Sequence, residues 1–244
     1  MEHSRPADLE TYGNAPILVF CDHAAFHIPQ ELSGLGISPE FLQTHIAWDI
    51  GAGGVARNIA KALNGTSLLC TTSRLVTDVN RDPGVADLMP TLVDHVPIPG
   101  NRGLSDADRT DRIARYHSAY HTKLEAVLDT LTAEHNDPFI VSVHSFTDRL
   151  MGAPDIRPWE LAVLWRHDEP TARKFIAEAA ALTGWTIGDN EPYSAFELNY
   201  TVDRHLAPRG LRHLTLEIRQ DLIGDDNGIL RVGAQLSEVI RRIA

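Results

Sequence analysis

Three apolar runs in this 244-residue sequence stop at side chains that bind metals or move protons. Ile17-Leu18-Val19-Phe20-Cys21 leads into Asp22-His23. Phe139 to Val143 leads into His144-Ser145, and Leu214 to Ile218 carries Glu217 with Arg219 behind it. A catalytic zinc takes imidazole nitrogen and carboxylate oxygen and keeps one position open for water. Histidines and a carboxylate converging on one edge are what a metal-assisted hydrolase needs. His23 and His144 are therefore the first two candidate ligands, although a strand-end histidine can also be held simply by backbone. A third ligand must come from elsewhere. In His45-Ile46-Ala47-Trp48-Asp49, His45 and Asp49 lie four apart, where one helical face presents both. Asp49 also opens the next helix, where a carboxylate is favoured for its own sake, so both roles stay open.

Other patterns are weaker. His23/His27 and His117/His121 are spaced H-x-x-x-H, but Ala24 and Ser118 stand where the zincin pattern needs its Glu. His117 and His121 can chelate on a helix face, yet the plainer reading is a solvated or groove-lining face. Ser145 lacks a G-x-S-x-G elbow, and Gly51-Ala52-Gly53-Gly54 lacks the Lys-Ser/Thr of a phosphate loop. Arg74 and Arg81 flank Leu75–Val79. They either pair with Asp78 or Asp82 or offer a bidentate fork to a substrate carboxylate. Asp189-Asn190-Glu191-Pro192-Tyr193 is a polar turn, which reads equally as ordinary surface.

The elements that must position these residues alternate. Strands are expected at 17–21, 67–71, 75–79, 139–144, 161–165 and 214–218. Helices are expected at 52–63, 106–134 (with Ser105 as N-cap), 171–183 and 229–243. Residues 1–14 are polar and expected to fray. Residues 28–45 read as loop and short helix. The stretch 82–104, with Pro83, Pro90, Pro97 and Pro99, reads as a long irregular excursion. This alternation argues for an α/β domain over 15–244 with a mostly parallel sheet. In such sheets ligands bind beyond the carboxyl ends of the strands.

Lys+Arg 22 against Asp+Glu 33 leaves a net charge of −11. That balance argues against nucleic-acid or anionic-membrane partners, which need clustered cations. No apolar run approaches the roughly 20 residues of a membrane span. The first thirteen residues hold no apolar signal core, and Cys21 and Cys70 read as buried thiols of a cytoplasmic protein.

Six stretches, taken together, resemble the N-formylglutamate amidohydrolase family. They are Cys21–Ala25, His45–Ala52, Ser73–Arg81, His144–Thr147, Asp189–Ser194 and Glu217–Leu222, in that family's order and across about residues 17–222. The resemblance implies one domain with a central mixed sheet flanked by helices, similar to zinc-dependent exopeptidases of the phosphorylase/hydrolase-like kind. It implies hydrolysis of an N-acyl amino acid, the type reaction turning N-formyl-L-glutamate into formate and glutamate in histidine breakdown. Carried over by position, it implies one zinc ion on His23, Asp49 and His144, with Glu217 as general base. Arg74, Asn80, Arg81, Asn190, Tyr193 and Arg219 are the implied substrate contacts. The family's first block usually continues from its histidine with Ser-Gly or Ser-Asn, where Ala24, Ala25 and Phe26 stand here. Two alternatives follow from that departure: a metal-free binding or regulatory module for an acylated amino acid, and a related amidase or peptidase with another substrate.

Overall fold

The computed structural model describes residues 6–244. In chain order the first half contains β1 (Ala7–Thr11), β2 (Ile17–Cys21), α1 (Pro39–Leu42), α2 (Ala52–Ala62), β3 (Thr66–Cys70), the hairpin β4 (Leu92–Val93) and β5 (Val96–Pro97), and α3 (Asp106–Arg112). A π-helical turn, Ile113–Ser118, joins α3 to α4 (Ala119–Glu134) without a break. The second half contains β6 (Phe139–Phe146), β7 (Leu161–Leu164), α5 (Glu169–Thr183), β8 (Ile187–Asp189), α6 (Tyr200–His205), β9 (Arg212–Arg219) and α7 (Asp226–Ile243).

Seven strands form a single sheet in the order β1-β3-β2-β6-β9-β7-β8. β3, β2, β6 and β9 run parallel, β1 and β7 oppose their inner neighbours, and β8 follows β7. This is a single-domain α/β fold with a mixed, mostly parallel sheet. β2 and β6 are buried along their whole length, because helices cover both faces. One face carries Val19, Cys21, Val141, Val143, Leu214 and Leu216 into a cluster with α2, α5 and α7. The other buries Leu18, Phe20, Leu68 and Ile140 against α4 and α6. Alternation then puts Ser142 and His144 of β6, and Thr215 and Glu217 of β9, on this second face. Toward the carboxyl ends of the strands it changes from apolar to polar.

The glycine-rich start of α2 is a packing device. Gly51 has φ +76, and a Cβ there would stand 2.1 Å from the Ile223 carbonyl oxygen. A Cβ on Gly53 would meet that of Ala24 at 3.0 Å, and one on Gly54 would meet Ile229 at 2.9 Å. Only glycine lets the helix start come so close to the loop after β2 and to α7.

The structure corrects several expectations. Within the stretch expected to fray, Ala7–Thr11 forms β1, paired antiparallel with β3 through backbone groups that need no apolar side chains. Residues 1–5 lie outside the described residues. Leu75–Val79 is not a strand: Leu75 and Val76 bury in a cluster with Leu35, Ile46, Val96 and Ile98 under the proline-rich excursion. The carbonyl of Leu75 is satisfied by Asn101 Nδ2 at 2.8 Å instead of by a neighbouring strand. β8 and α6 are too short to leave a periodic signal. No helix among the described residues is long and apolar enough to cross a membrane.

Candidate active site

His23 lies two residues past β2, and His144 and Glu217 are register partners near the ends of β6 and β9. Asp49 precedes α2, and its amide donates to the His23 carbonyl at 2.9 Å. The N-cap of α2 is Gly51, so the Asp49 carboxylate is not spent on capping. It turns inward. Asp49 Oδ2 lies 2.8 Å from His144 Nδ1 and 3.3 Å from His23 Nδ1, and Oδ1 lies 3.0 Å from Arg74 Nη2. One ligand atom from each of His23, Asp49 and His144 lies within 4.8 Å of the others, and all three residues are buried. A second layer orients them. His23 Nε2 donates to Asp78 Oδ1 at 2.7 Å, which turns Nδ1 toward the centre. His144 Nε2 lies 3.1 Å from Ser142 Oγ and 3.7 Å from Asp22 Oδ2, and Tyr120 donates to Asp22 Oδ1 at 2.6 Å.

The electrostatics follow from burial and proximity. Burial and the adjacent Arg74 push the His23 imidazole down, but Asp78 and Asp49 outweigh them and lift its pKa to about 9. Burial pushes His144 down too, and Asp49 raises it above the ordinary histidine value. Burial would raise Asp49, yet Arg74 and the two imidazoles hold it well below the carboxylate range. Glu217 shows the opposite balance: burial dominates and lifts it to about 7. Glu217 Oε2 and Asp22 Oδ2 are buried with no hydrogen-bond partner among the described residues. Two inward Nδ1 atoms and a carboxylate, with an unpartnered carboxylate oxygen beside them, fit a divalent cation by donor type and convergence.

The centre opens into a cavity of about 200 Å³. Of the residues singled out from sequence, His23, Asp49, His144, Glu217, Arg74, Asn80, Arg81 and Tyr193 line it. Arg74 touches His23 Nδ1 as well as Asp49. Arg81 lies 3.5 Å from Asp78, one of its two expected partners, and 2.6 Å from Asp87, whereas Arg74 pairs with Asp49 and not with Asp78 or Asp82; both arginines also border the cavity. His45 also lines it, but is turned to Asp94 at 3.2 Å and stays out of the central group.

Two expected substrate contacts are elsewhere. Asn190, at φ +54, spends its side-chain amide on the backbone just past β7, accepting from Trp165 N at 3.0 Å and donating to Trp165 O at 2.9 Å. Arg219 pairs with Asp221 at 2.8 Å and reaches the Arg157 and Trp159 carbonyls, so its donors are used beyond the sheet end. His27 is exposed while His23 is buried, so that pair does not chelate. His117 and His121 are each 1% exposed, which overturns the solvated-face reading.

Some cavity residues escaped the sequence reading. Asp78 was legible only as a partner for arginine. Asn199 and Thr215 line the cavity, and Arg157, outside the lining, stands over the ring of the lining residue Tyr193 at 5.0 Å and donates to its hydroxyl at 3.1 Å. Arg157 sits in a loop without periodicity, and Thr215 is hidden inside an apolar run; neither carried a local signal.

A family model for N-formylglutamate amidohydrolase matches residues 15–224. A comparison with curated proteins found no match. The crystal structure of a gene product from Agrobacterium tumefaciens is similar over 97% of this chain and 94% of its own, with a TM-score of 0.92 and 30% identity. The crystal structure of N-formylglutamate amidohydrolase from Ralstonia eutropha JMP134 shares the fold over 98% of this chain and 97% of its own, with a TM-score of 0.74 and 23% identity. With the match spanning most of the sequence and the buried His-Asp-His group at the sheet's carboxyl edge, the chain belongs to the N-formylglutamate amidohydrolase family.

Proposed function

We propose that this amidohydrolase cleaves the acyl amide of an N-acyl amino acid, with N-formyl-L-glutamate as the type substrate, and that His23, Asp49 and His144 hold one zinc ion. The observation that carries the reading is the convergence of His23 Nδ1, Asp49 Oδ2 and His144 Nδ1 beside the unpartnered oxygen of Glu217. Zinc bound there would supply Lewis acidity and lower the pKa of water from 15.7 to about 7.

The chain's own residues do the rest. Glu217 takes a proton from the attacking water and delivers it to the leaving nitrogen. The water oxygen bonds to the acyl carbon, the C–N bond breaks, and formate and glutamate leave. Arg74, at the centre, faces the charge that develops on the acyl oxygen. Asn80 and Arg81 border the cavity where the substrate carboxylates would lie. In a protein of net charge −11, these arginines place cationic donors inside the cavity where a dianionic substrate would meet them. A cavity of about 200 Å³ suits a substrate of that size better than a folded polypeptide.

Metal content by plasma mass spectrometry, on wild type and His144→Ala, tests the centre. About one zinc per chain, lost in the variant, is the expected result. A panel of N-acyl amino acids then reads the substrate. Absence of metal from the wild type after zinc addition overturns the reading and favours a binding module.

A further inference from the structure

A second histidine cluster lies outside the cavity lining. His117, in the π-helical turn, and His121, in α4, both face the Val79–Arg81 segment. His117 Nε2 lies 2.9 Å from the Arg81 carbonyl, and His121 Nε2 lies 2.9 Å from the Val79 carbonyl. A carbonyl only accepts, so both Nε2 atoms carry protons. His121 Nδ1 is then an acceptor, and His205 Nε2 of α6 donates to it at 2.8 Å. The two carbonyls flank Asn80. Its side-chain oxygen accepts from Thr201 N at 3.0 Å, and its backbone N–H donates to Asp78 Oδ1 at 2.9 Å. The turn is thus held on one side by Asp78, which also holds His23, and on the other by α4 and α6.

The donors of this cluster are committed, and that commitment decides between metal binding and support. Both outward Nε2 atoms are spent on backbone, so the pair does not present two free lone pairs to a cation. The π-helical turn matters here because it shifts helical phase just before His121, and such turns recur beside functional sites. The His117 and His121 rings lie 4.5 Å apart, and His121 stacks on His205 at 5.0 Å.

We propose that His117 and His121 are positioning residues which, through the carbonyls of Arg81 and Val79, fix the turn that presents Asn80 and Arg81 to the substrate carboxylate. The proposal rests on the reading of Asn80 and Arg81 given under Proposed function. It makes substrate affinity depend on two histidines that touch neither substrate nor metal.

The test compares His117→Leu with His117→Gln, and His121→Leu with His121→Gln, in the zinc-loaded protein. A glutamine amide can donate where Nε2 did; leucine cannot. The Leu variants are expected to raise KM for N-formyl-L-glutamate about tenfold with kcat within about threefold, and the Gln variants to recover most of that loss. Amide hydrogen exchange over residues 78–82 is expected to quicken in the Leu variants and not in the Gln variants, with β6 unchanged. Unchanged KM and exchange in all four, or equal effects of Leu and Gln, would overturn the proposal. Wild type that does not hydrolyse N-formyl-L-glutamate would overturn the substrate reading, and the exchange comparison would then decide the positioning role by itself.

Discussion

His144 and Glu217 occupy the same register position on the adjacent parallel strands β6 and β9, so both side chains leave the same face of the sheet side by side. The imidazole is anchored by Asp49 and Ser142, whereas one Glu217 oxygen has no hydrogen-bond partner among the described residues. A buried carboxylate without a donor costs stability, so its retention asks for a chemical reason. Glu217→Gln keeps the shape and removes the base. It is expected to keep the zinc content and circular dichroism of the wild type and to lower kcat by about 10²–10⁴-fold. Activity within tenfold of wild type would remove Glu217 from the reaction.

Asp78 touches no ligand atom of the centre, yet it bonds His23 Nε2 and the Asn80 backbone N–H through one oxygen. Its carboxyl is held below the usual range: burial would raise it, but His23 and the neighbouring arginines outweigh burial. Carboxylates that orient a ligating histidine typically govern 10–100-fold in metal affinity. Asp78→Asn should therefore weaken zinc binding by about that factor, read by competition with a chromogenic chelator. An unchanged affinity would mean that Asp49 and the backbone suffice to aim His23.

Arg81 and Arg219 separate two readings that the sequence could not. Both are arginines next to matched motif residues, but only Arg81 lines the cavity; Arg219 is tied to Asp221 beyond it. Arg81→Ala is expected to raise KM for N-formyl-L-glutamate about 10–100-fold, the worth of a charge-assisted hydrogen bond. Arg219→Ala should leave KM within about twofold. The reverse ranking in steady-state kinetics would relocate the carboxylate site.

What the sequence showed of the site follows from where its residues stand. His23, His144 and Glu217 end apolar runs, and the chemistry of a parallel sheet concentrates at those ends. Asp49 was ambiguous because a carboxylate before a helix has two uses, and only the geometry of Gly51 showed that the cap lay elsewhere. Leu75–Val79 looked like a strand because apolar, β-branched residues bury equally well in a loop cluster, and a one-dimensional pattern does not say against what. Asn190 and Arg219 matched by position, but motif matching does not reveal that a side chain's donors are spent on the backbone past a distant strand, as for Asn190, or on its own neighbour, as for Arg219. The edge strand β1 is fixed by backbone pairing with β3, a contact made across more than fifty residues.

The second histidine cluster has a thermodynamic signature of its own. Burial lowers His205 to about 4 and His121 to about 2, and Arg204 and the neighbouring His117 push the same way. The groups around the pair are His117, Tyr120 and Tyr200, with Arg204, Arg209 and Asp129 farther out. Above about pH 6.5 these histidines are neutral folded and unfolded, and contribute no pH dependence. Below it the unfolded chain takes up protons that the folded chain refuses. Stability therefore falls as pH drops from 6.5 toward 4, by up to about 1.4 kcal/mol per pH unit for each histidine. His205→Gln keeps a donor for His121 and removes one titrating ring. Its urea-unfolding free energy is expected to fall less steeply than that of wild type between pH 6.5 and 4.5. The histidines and carboxylates of the metal centre titrate in both proteins and cancel in the difference. Parallel profiles would mean that His205 takes up its proton in the folded protein, breaking its bond to His121 without cost to the fold.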